Sequence, residues 1–273
     1  MILNEKVSVG AAAPFKIIHI SDTHFTLADS RDNSEKNRMA LSRRRIFSNS
    51  ESVRDTAERL SRELKCPIIH TGDYYDFLTE ANLDELSRVV TENDVFYVAG
   101  NHDFSHYLGE EFEDEDYKLR SCERVQSLHK NNIRMSSRVI NGVNFVALDD
   151  SYFQFHPDHP EFLLSEAEKG LPMVILYHKP VCCSEMLSFA LERNRLGGLV
   201  GIPDEYIDGR DEFWNREHTM TDATSRTIDL INSLDNVKCI INGHLHEDHV
   251  CRTDSGVPMI LTGHESVRVI EFT

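Results

Sequence analysis

"YVAGNHDFSH", residues 97–106, leaves an apolar stretch for a polar turn within a few positions. Tyr97, Val98 and Ala99 read as the buried end of a strand. Gly100 lets the chain turn, and Asn101, His102, Asp103 and His106 follow. The fragment fits a turn capped by Asn or Asp. It fits equally a strand-end site, the place where α/β sheets seat ligands and catalytic groups. The rest of the chain decides between them.

The same pattern recurs in both directions. "FKIIHISDTHF" is a strand over 15–20 that ends in Asp22 and His24. "CPIIHTGDYYDF" ends in Asp73 and Asp76, and "NFVALDDSYF" in Asp149 and Asp150. "MVILYHKP" delivers His178, and "VKCIINGHLH" delivers His244 and His246. Helices fall between them. "SVRDTAERLSREL" places Val53, Ala57, Leu60 and Leu64 at helical spacing, and "NLDELSRVV" does the same with Leu83, Leu86 and Val90. "SEMLSFALERNRLGG" starts at a Ser184 cap and stops at Gly197 and Gly198. "DATSRTIDLINSL" turns Ile228, Ile231 and Leu234 inward. Strands alternate with helices early and crowd the end, which predicts a layered α/β architecture. No linker divides it, so residues 1–273 read as one domain. Residues 26–50 and the acidic run 109–117, "GEEFEDEDY", read as polar loops. "VPMILTGHESVRVIEFT" reads as two strands paired like a hairpin.

Composition narrows the function. The 273 residues are 40% hydrophobic and 27% charged, an ordinary globular balance. Lys plus Arg number 29 against 46 Asp plus Glu, a formal charge of −17, which argues against nucleic acid as a partner. The six cysteines include no Cys-x-x-Cys pair and read as buried, reduced thiols. The first residues lack the basic start and apolar stretch of a signal peptide. No run approaches the ~20 apolar residues needed to cross a bilayer. The expectation is a soluble, cytoplasmic protein with no membrane contact.

One polar strand end is unremarkable, and a lone His is more often structural than a ligand. Five together carry weight, because parallel strands put their C-terminal ends on one rim. Asp22, His24, Asp73, Asn101, His178, His244 and His246 form a mixed nitrogen and oxygen donor set. Such a set suits Zn, Mn, Fe or Co, with no thiolate to select a softer metal. It is too large for one tetrahedral ion. It suits two, ~3.5–4 Å apart, sharing a carboxylate.

In these motifs the chain resembles the calcineurin-like metallophosphoesterases. That family runs Asp-x-His, Gly-Asp-x-x-Asp, Gly-Asn-His-Asp/Glu, an isolated His, then Gly-His-x-His. Here "DTH" starts at 22, "GDYYD" at 72, "GNHD" at 100 and "GHLH" at 243, with His178 between the last two. The resemblance implies an αββα sandwich of two mixed sheets flanked by helices, with a dimetal site at strand ends. It implies that Asp22, His24, Asp73 and His246 hold one divalent or transition metal ion. Asp73, Asn101, His178 and His244 hold the other, and Asp73 bridges. His102 stands beside the phosphate as general acid, oriented by Asp76. The implied reaction is phosphoester hydrolysis by a hydroxide formed between the two ions.

Phe77 and Leu78 stand where protein phosphatases of this family continue with Arg-Gly, and "GNHD" replaces their "GNHE". Both departures point toward the phosphodiesterase-like branch and a small or nucleotide-like phosphoester substrate. A phosphomonoesterase is compatible with the same motifs. A nuclease is disfavoured by the charge, and a non-catalytic scaffold by the complete ligand set. His19 and His70 read as structural, and His249 and His264 fall outside every motif. His106, His156 and His159 lie in loops, and Asp149 and Asp150 read as a turn or as support for the ligands. The segment 199–221 shows few signs of regular structure. It reads either as a lid that reaches the rim and offers Tyr206, Arg210, Phe213, Trp214 and Arg216 to the substrate, or as a surface loop whose aromatics anchor it to the core.

Overall fold

The computed structural model describes residues 1–105 and 115–273. His106 and the start of the acidic run fall outside the described residues. In chain order the elements are β1 (Ile2–Val7), β2 (Phe15–Ile20), α1 (Ser34–Arg43), α2 (Ser50–Leu64), β3 (Ile68–His70), α3 (Glu80–Glu92), β4 (Val95–Tyr97) and α4 (Glu115–Gln126). Then follow β5 (Met135–Ile140), β6 (Val143–Leu148), α5 (His159–Ala167), β7 (Met173–Leu176), α6 (Ser184–Glu192), α7 (Glu212–His218), α8 (Asp222–Ser233), β8 (Val237–Asn242), β9 (His249–Arg252), β10 (Pro258–Leu261) and β11 (Val267–Phe272).

The strands form two mixed sheets, ordered β1-β11-β2-β3-β4 and β5-β6-β7-β8-β10-β9. Strand residues divide by alternation, as pleating requires. In β6, Val143, Phe145 and Ala147 enter the core between the sheets, with Phe15, Ile17, Ile69 and Phe96 opposite. Val146 and Leu148 turn outward to Leu163 of α5, Met186 of α6 and Ile231 of α8. In the first sheet, Ile18 and Ile20 meet Val53 and Ala57 of α2 and Leu83 and Leu86 of α3. Helices thus cover both outer faces, giving the four αββα layers. Strands buried on both sides explain the unbroken apolar runs in the sequence. No helix among the described residues is long and apolar enough to cross a membrane.

Four local expectations need correction. The polar stretch 26–50 contains α1, started by Asn33, whose side chain accepts from the amides of Glu35 and Lys36. The two last strands do not pair with each other. β10 lies parallel to β8 in one sheet, and β11 lies between β1 and β2 in the other. The segment 199–221 contains α7, capped by Asp211 through the Trp214 amide. Ser184 is the first residue of α6, with Cys183 at the cap position. β5 has no counterpart in the sequence reading. It pairs antiparallel with β6 across Asn141 and Gly142, at φ 45° and 81°, the left-handed pair that a tight hairpin turn takes.

Candidate metal centre

Parallel strands deliver the motif residues to one place. Asp22 and His24 follow β2, Asp73 follows β3, and Asn101 and His102 follow β4, three neighbours in one sheet. His178 follows β7, and His244 and His246 follow β8, neighbours in the other. Five of these residues hold left-handed backbone: Asp22 at φ 55°, His24 at 45°, Asp73 at 56°, His244 at 69° and His246 at 60°. Such conformations cost about 1–3 kcal/mol each away from glycine and gather at functional sites. Close approach fixes the glycines beside them. A Cβ on Gly100 would stand 2.2 Å from Asp73 Oδ1, and one on Gly243 would stand 1.9 Å from Ser21 Oγ.

Each central carboxylate has one oxygen pinned and one presented. Asp22 Oδ2 accepts from the His244 amide, and Asp73 Oδ1 from the His102 amide, both at 2.8 Å. The other two oxygens, Asp22 Oδ1 and Asp73 Oδ2, are buried with no hydrogen-bond partner. Orphaned buried oxygens of this kind are costly and call for a ligand. Imidazole nitrogens surround them. His246 and His24 Nε2 lie 3.5 and 3.8 Å from Asp22 Oδ1, and His178 and His24 Nε2 lie 3.1 and 3.7 Å from Asp73 Oδ2. Two groups, Asp22–His24–His246 and Asp73–His178–His244, are each compact enough to hold an ion. Asn101 is buried beside them, its Oδ1 accepting from Lys179 Nζ at 2.6 Å. Orphaned anionic oxygens facing nitrogen donors fit two divalent or transition metal cations.

The outer hydrogen bonds choose the tautomers. His178 Nδ1 donates to the Thr71 carbonyl at 2.6 Å, and His24 Nδ1 to Asp76 Oδ1 at 3.1 Å. Both rings therefore turn Nε2 toward the centre. Burial opposes charge on Asp22 and Asp73, yet the imidazoles, His178 foremost, hold both well below the usual carboxylate range. Burial likewise opposes charge on His24 and His178. The carboxylates overcome it and draw His24 up to about 10 and His178 up to about 9. His244 goes the other way, lowered by burial and then by Lys179.

His102 is partly exposed, its side chain 16% accessible, as is His246 at 26%. His102 Nδ1 lies 2.8 Å from the main-chain carbonyl of Asp76 and 3.5 Å from its carboxylate. That carboxylate is closer to His24 and is gripped by Arg43, whose Nε is 2.5 Å from Asp76 Oδ2. The structure thus sets His102 beside Asp76, with the shorter contact made by the backbone.

Three supporting residues, Arg43, Lys179 and Asp103, escaped the sequence reading, while Asp150 was read there as a turn or as support for the ligands. Arg43 lay in a stretch read as loop. Lys179 directly follows His178, but only the fold shows its ammonium at Asn101. The amides of His178 and Lys179 donate to the buried Asp150 carboxylate at 2.9 and 3.0 Å, while Asp149 Oδ1 accepts from the Ser151 amide in a turn. Asp103, quoted in the opening fragment, accepts from the amides of Asp73, Tyr74 and Gly100 and from the Tyr97 hydroxyl, at 2.7–3.1 Å. It ties the loop of Asp73 to the loop of Asn101. Asp103→Ala strands those buried donors at about 1–3 kcal/mol each, so a loss of about 3 kcal/mol or more is expected. Urea unfolding should show it as a lower midpoint with unchanged slope. A change below about 1 kcal/mol would refute the tie.

The other histidines divide as follows. His19 bridges the hydroxyls of Thr71 and Thr262, and His70 accepts from the Gly72 amide, both inside the fold. His159 contacts the Arg134 carbonyl, His156 lies 3.5 Å from Asp158, and His249 stacks on Phe189. His264 sits at the rim, its ring 5.1 Å from His246. In the segment 199–221, Trp214 donates to the Tyr206 carbonyl and packs on the core, with Arg210 over its ring. A ring series runs from Trp214 through His218 to Phe153, outside the segment, whose ring centre lies 6.1 Å from that of His244. Within the segment Phe213 remains exposed, with Arg216 over its ring.

The structure of a dimetal phosphatase from Danio rerio resembles this chain with a TM-score of 0.50 at 14% identity, covering 91% of this chain and 87% of that one. A purple acid phosphatase from yellow lupin (Lupinus luteus) seeds gives 0.54 at 12% identity, over 93% of this chain and 44% of that one. The chain thus spans less than half of the lupin enzyme, and at these identities both likenesses speak to the fold. No curated protein matches the sequence. The calcineurin-like phosphoesterase family model, by contrast, matches residues 15–267 and takes in every motif from Asp22 to His246. With nearly its whole length so matched, the chain belongs to the calcineurin-like phosphoesterase family and is a metal-dependent phosphoester hydrolase.

Proposed function

We propose that this hydrolase is a phosphodiesterase acting on a small or nucleotide-like phosphoester. The carrying observation is the guanidinium inventory beside His102. Phe77, in the position of the phosphate-clamping Arg of the protein phosphatases, is fully buried, and nearby Arg43 is engaged by Asp76. Among the described residues neither position offers a free guanidinium clamp beside His102, which suits a singly charged diester better than a doubly charged monoester. We also read residues 1–273 as one domain, since the ligand sets draw on both sheets.

Asp22, His24, Asp73 and His246 would hold one cation, and Asp73, Asn101, His178 and His244 the other, with Asp73 shared. When bound, the pair supplies Lewis acidity and a nucleophilic water at neutral pH. The chain does the rest. Asp76 and the Thr71 carbonyl keep the His24 and His178 rings aimed inward. The Asp76 carbonyl fixes Nδ1–H of His102, leaving Nε2 for the substrate. As general acid the ring carries protons on both nitrogens, with the Asp76 carboxylate, shared with Arg43 and His24, 3.5 Å from its Nδ1. His102 then gives the Nε2 proton to the departing oxygen.

A cation-reconstituted comparison of aryl phosphate monoesters and diesters, extended to cyclic nucleotides, tests the reading. The expected result is a kcat/KM at least about tenfold higher for diesters, a transition-state difference of about 1.4 kcal/mol. A preference for monoesters would overturn it in favour of a phosphomonoesterase.

A further inference from the structure

Lys179 has no exposed surface. The Asp150 carboxylate clamps the peptide on which its side chain is mounted, through the amides of His178 and Lys179. From there the ammonium reaches inward. It ends 2.6 Å from Asn101 Oδ1 and 3.3 and 3.4 Å from the two ring nitrogens of His244. It also lies 3.9 Å from the centre of the Phe153 ring. Near-equal distances to both nitrogens place the charge against the imidazole as a whole rather than on one lone pair.

Asn101 and His244 belong to one proposed ligand set, with Asp73 and His178. Asp22, His24 and His246 belong to the other. An ammonium is therefore already seated on the donors of one cation position. A divalent ion arriving there meets a like charge in a site shielded from water, where such repulsion is strong. It must also take Asn101 Oδ1 from the lysine.

We propose that Lys179 determines the occupancy of the metal centre. Its ammonium makes the two positions unequal, so that the position of Asn101 and His244 fills with lower affinity, once the lysine has left Asn101. This rests on the ligand sets proposed above.

Equilibrium Mn2+ binding to the full chain tests the idea, followed by calorimetry and by metal content after gel filtration. The wild type should show two classes of site separated by about tenfold or more. Lys179→Met keeps the length and apolar contacts of the side chain and removes its charge. It should tighten the weaker class by about tenfold or more and leave the tighter class in place. Lys179→Arg keeps the charge and should keep the weak class. Thermal melts establish folding, and Lys179→Gln carries the same expectation should the Met variant fail to fold. Equal classes in the wild type, or a neutral variant whose weaker class is unchanged or loosened, would overturn the proposal. A wild type that binds no Mn2+ would instead overturn the dimetal reading on which it rests.

Discussion

Asp73→Ala leaves the protein without useful turnover and with at most one bound cation. Asp73 Oδ2 lies within 3.7 Å of a nitrogen from each ligand set, His24 of one and His178 of the other. The substitution removes the shared donor and the negative charge that draws cations in. It also frees the His102 amide, which the same carboxylate holds at 2.8 Å. Cation stabilisation of a transition state is worth several kcal/mol, so kcat/KM should fall roughly 10³–10⁵-fold. Metal analysis alongside turnover is the measurement. Two retained cations with wild-type rate would show that Asp73 does not bridge.

His102→Ala separates chemistry from metal binding. The amide that donates to Asp73 survives in alanine, so both cations should remain. Turnover should fall about 10²–10⁴-fold, the usual contribution of a general acid. The loss should grow as the leaving group becomes more basic, because a poor leaving group needs the proton most. A series of aryl diesters of graded leaving-group acidity reads this out. A uniform loss across the series would assign His102 to holding the phosphate.

The strands that position the centre were legible for a physical reason. β7 is apolar throughout, and β6 and β8 are interrupted only by Asn144 and Lys238 before their ends, so all three stand out as apolar runs, and each motif lies at the end of its strand. What escaped notice depends on contacts distant in sequence or on weak local signals. α1 is mostly polar, with Lys36 and Ala40 its buried residues, and gives little periodicity to see. β1 and β5 are edge strands, half-exposed along most of their length. That β10 and β11 part company is decided by partners far from both. The roles of Arg43 and Lys179 exist only once separate segments meet. Asp103 shows the difference most sharply: its residue type was visible, but its four donors come from three places in the chain.

The placement of β11 between β1 and β2 bears on how the enzyme is made. β2 carries the chain into Asp22 and His24, and one of its lateral partners is β11, with Ile17 opposite Ile270. On a ribosome adding roughly 5–20 residues per second, β2 waits on the order of ten seconds or more for that neighbour to be synthesised. Until then one edge of β2 is unpaired, an invitation to wrong partners. The Asp22–His24 motif is therefore synthesised long before the strand that completes the lateral support of β2. Nascent chains stalled before Val267 are the species in which a chaperone would find that edge open.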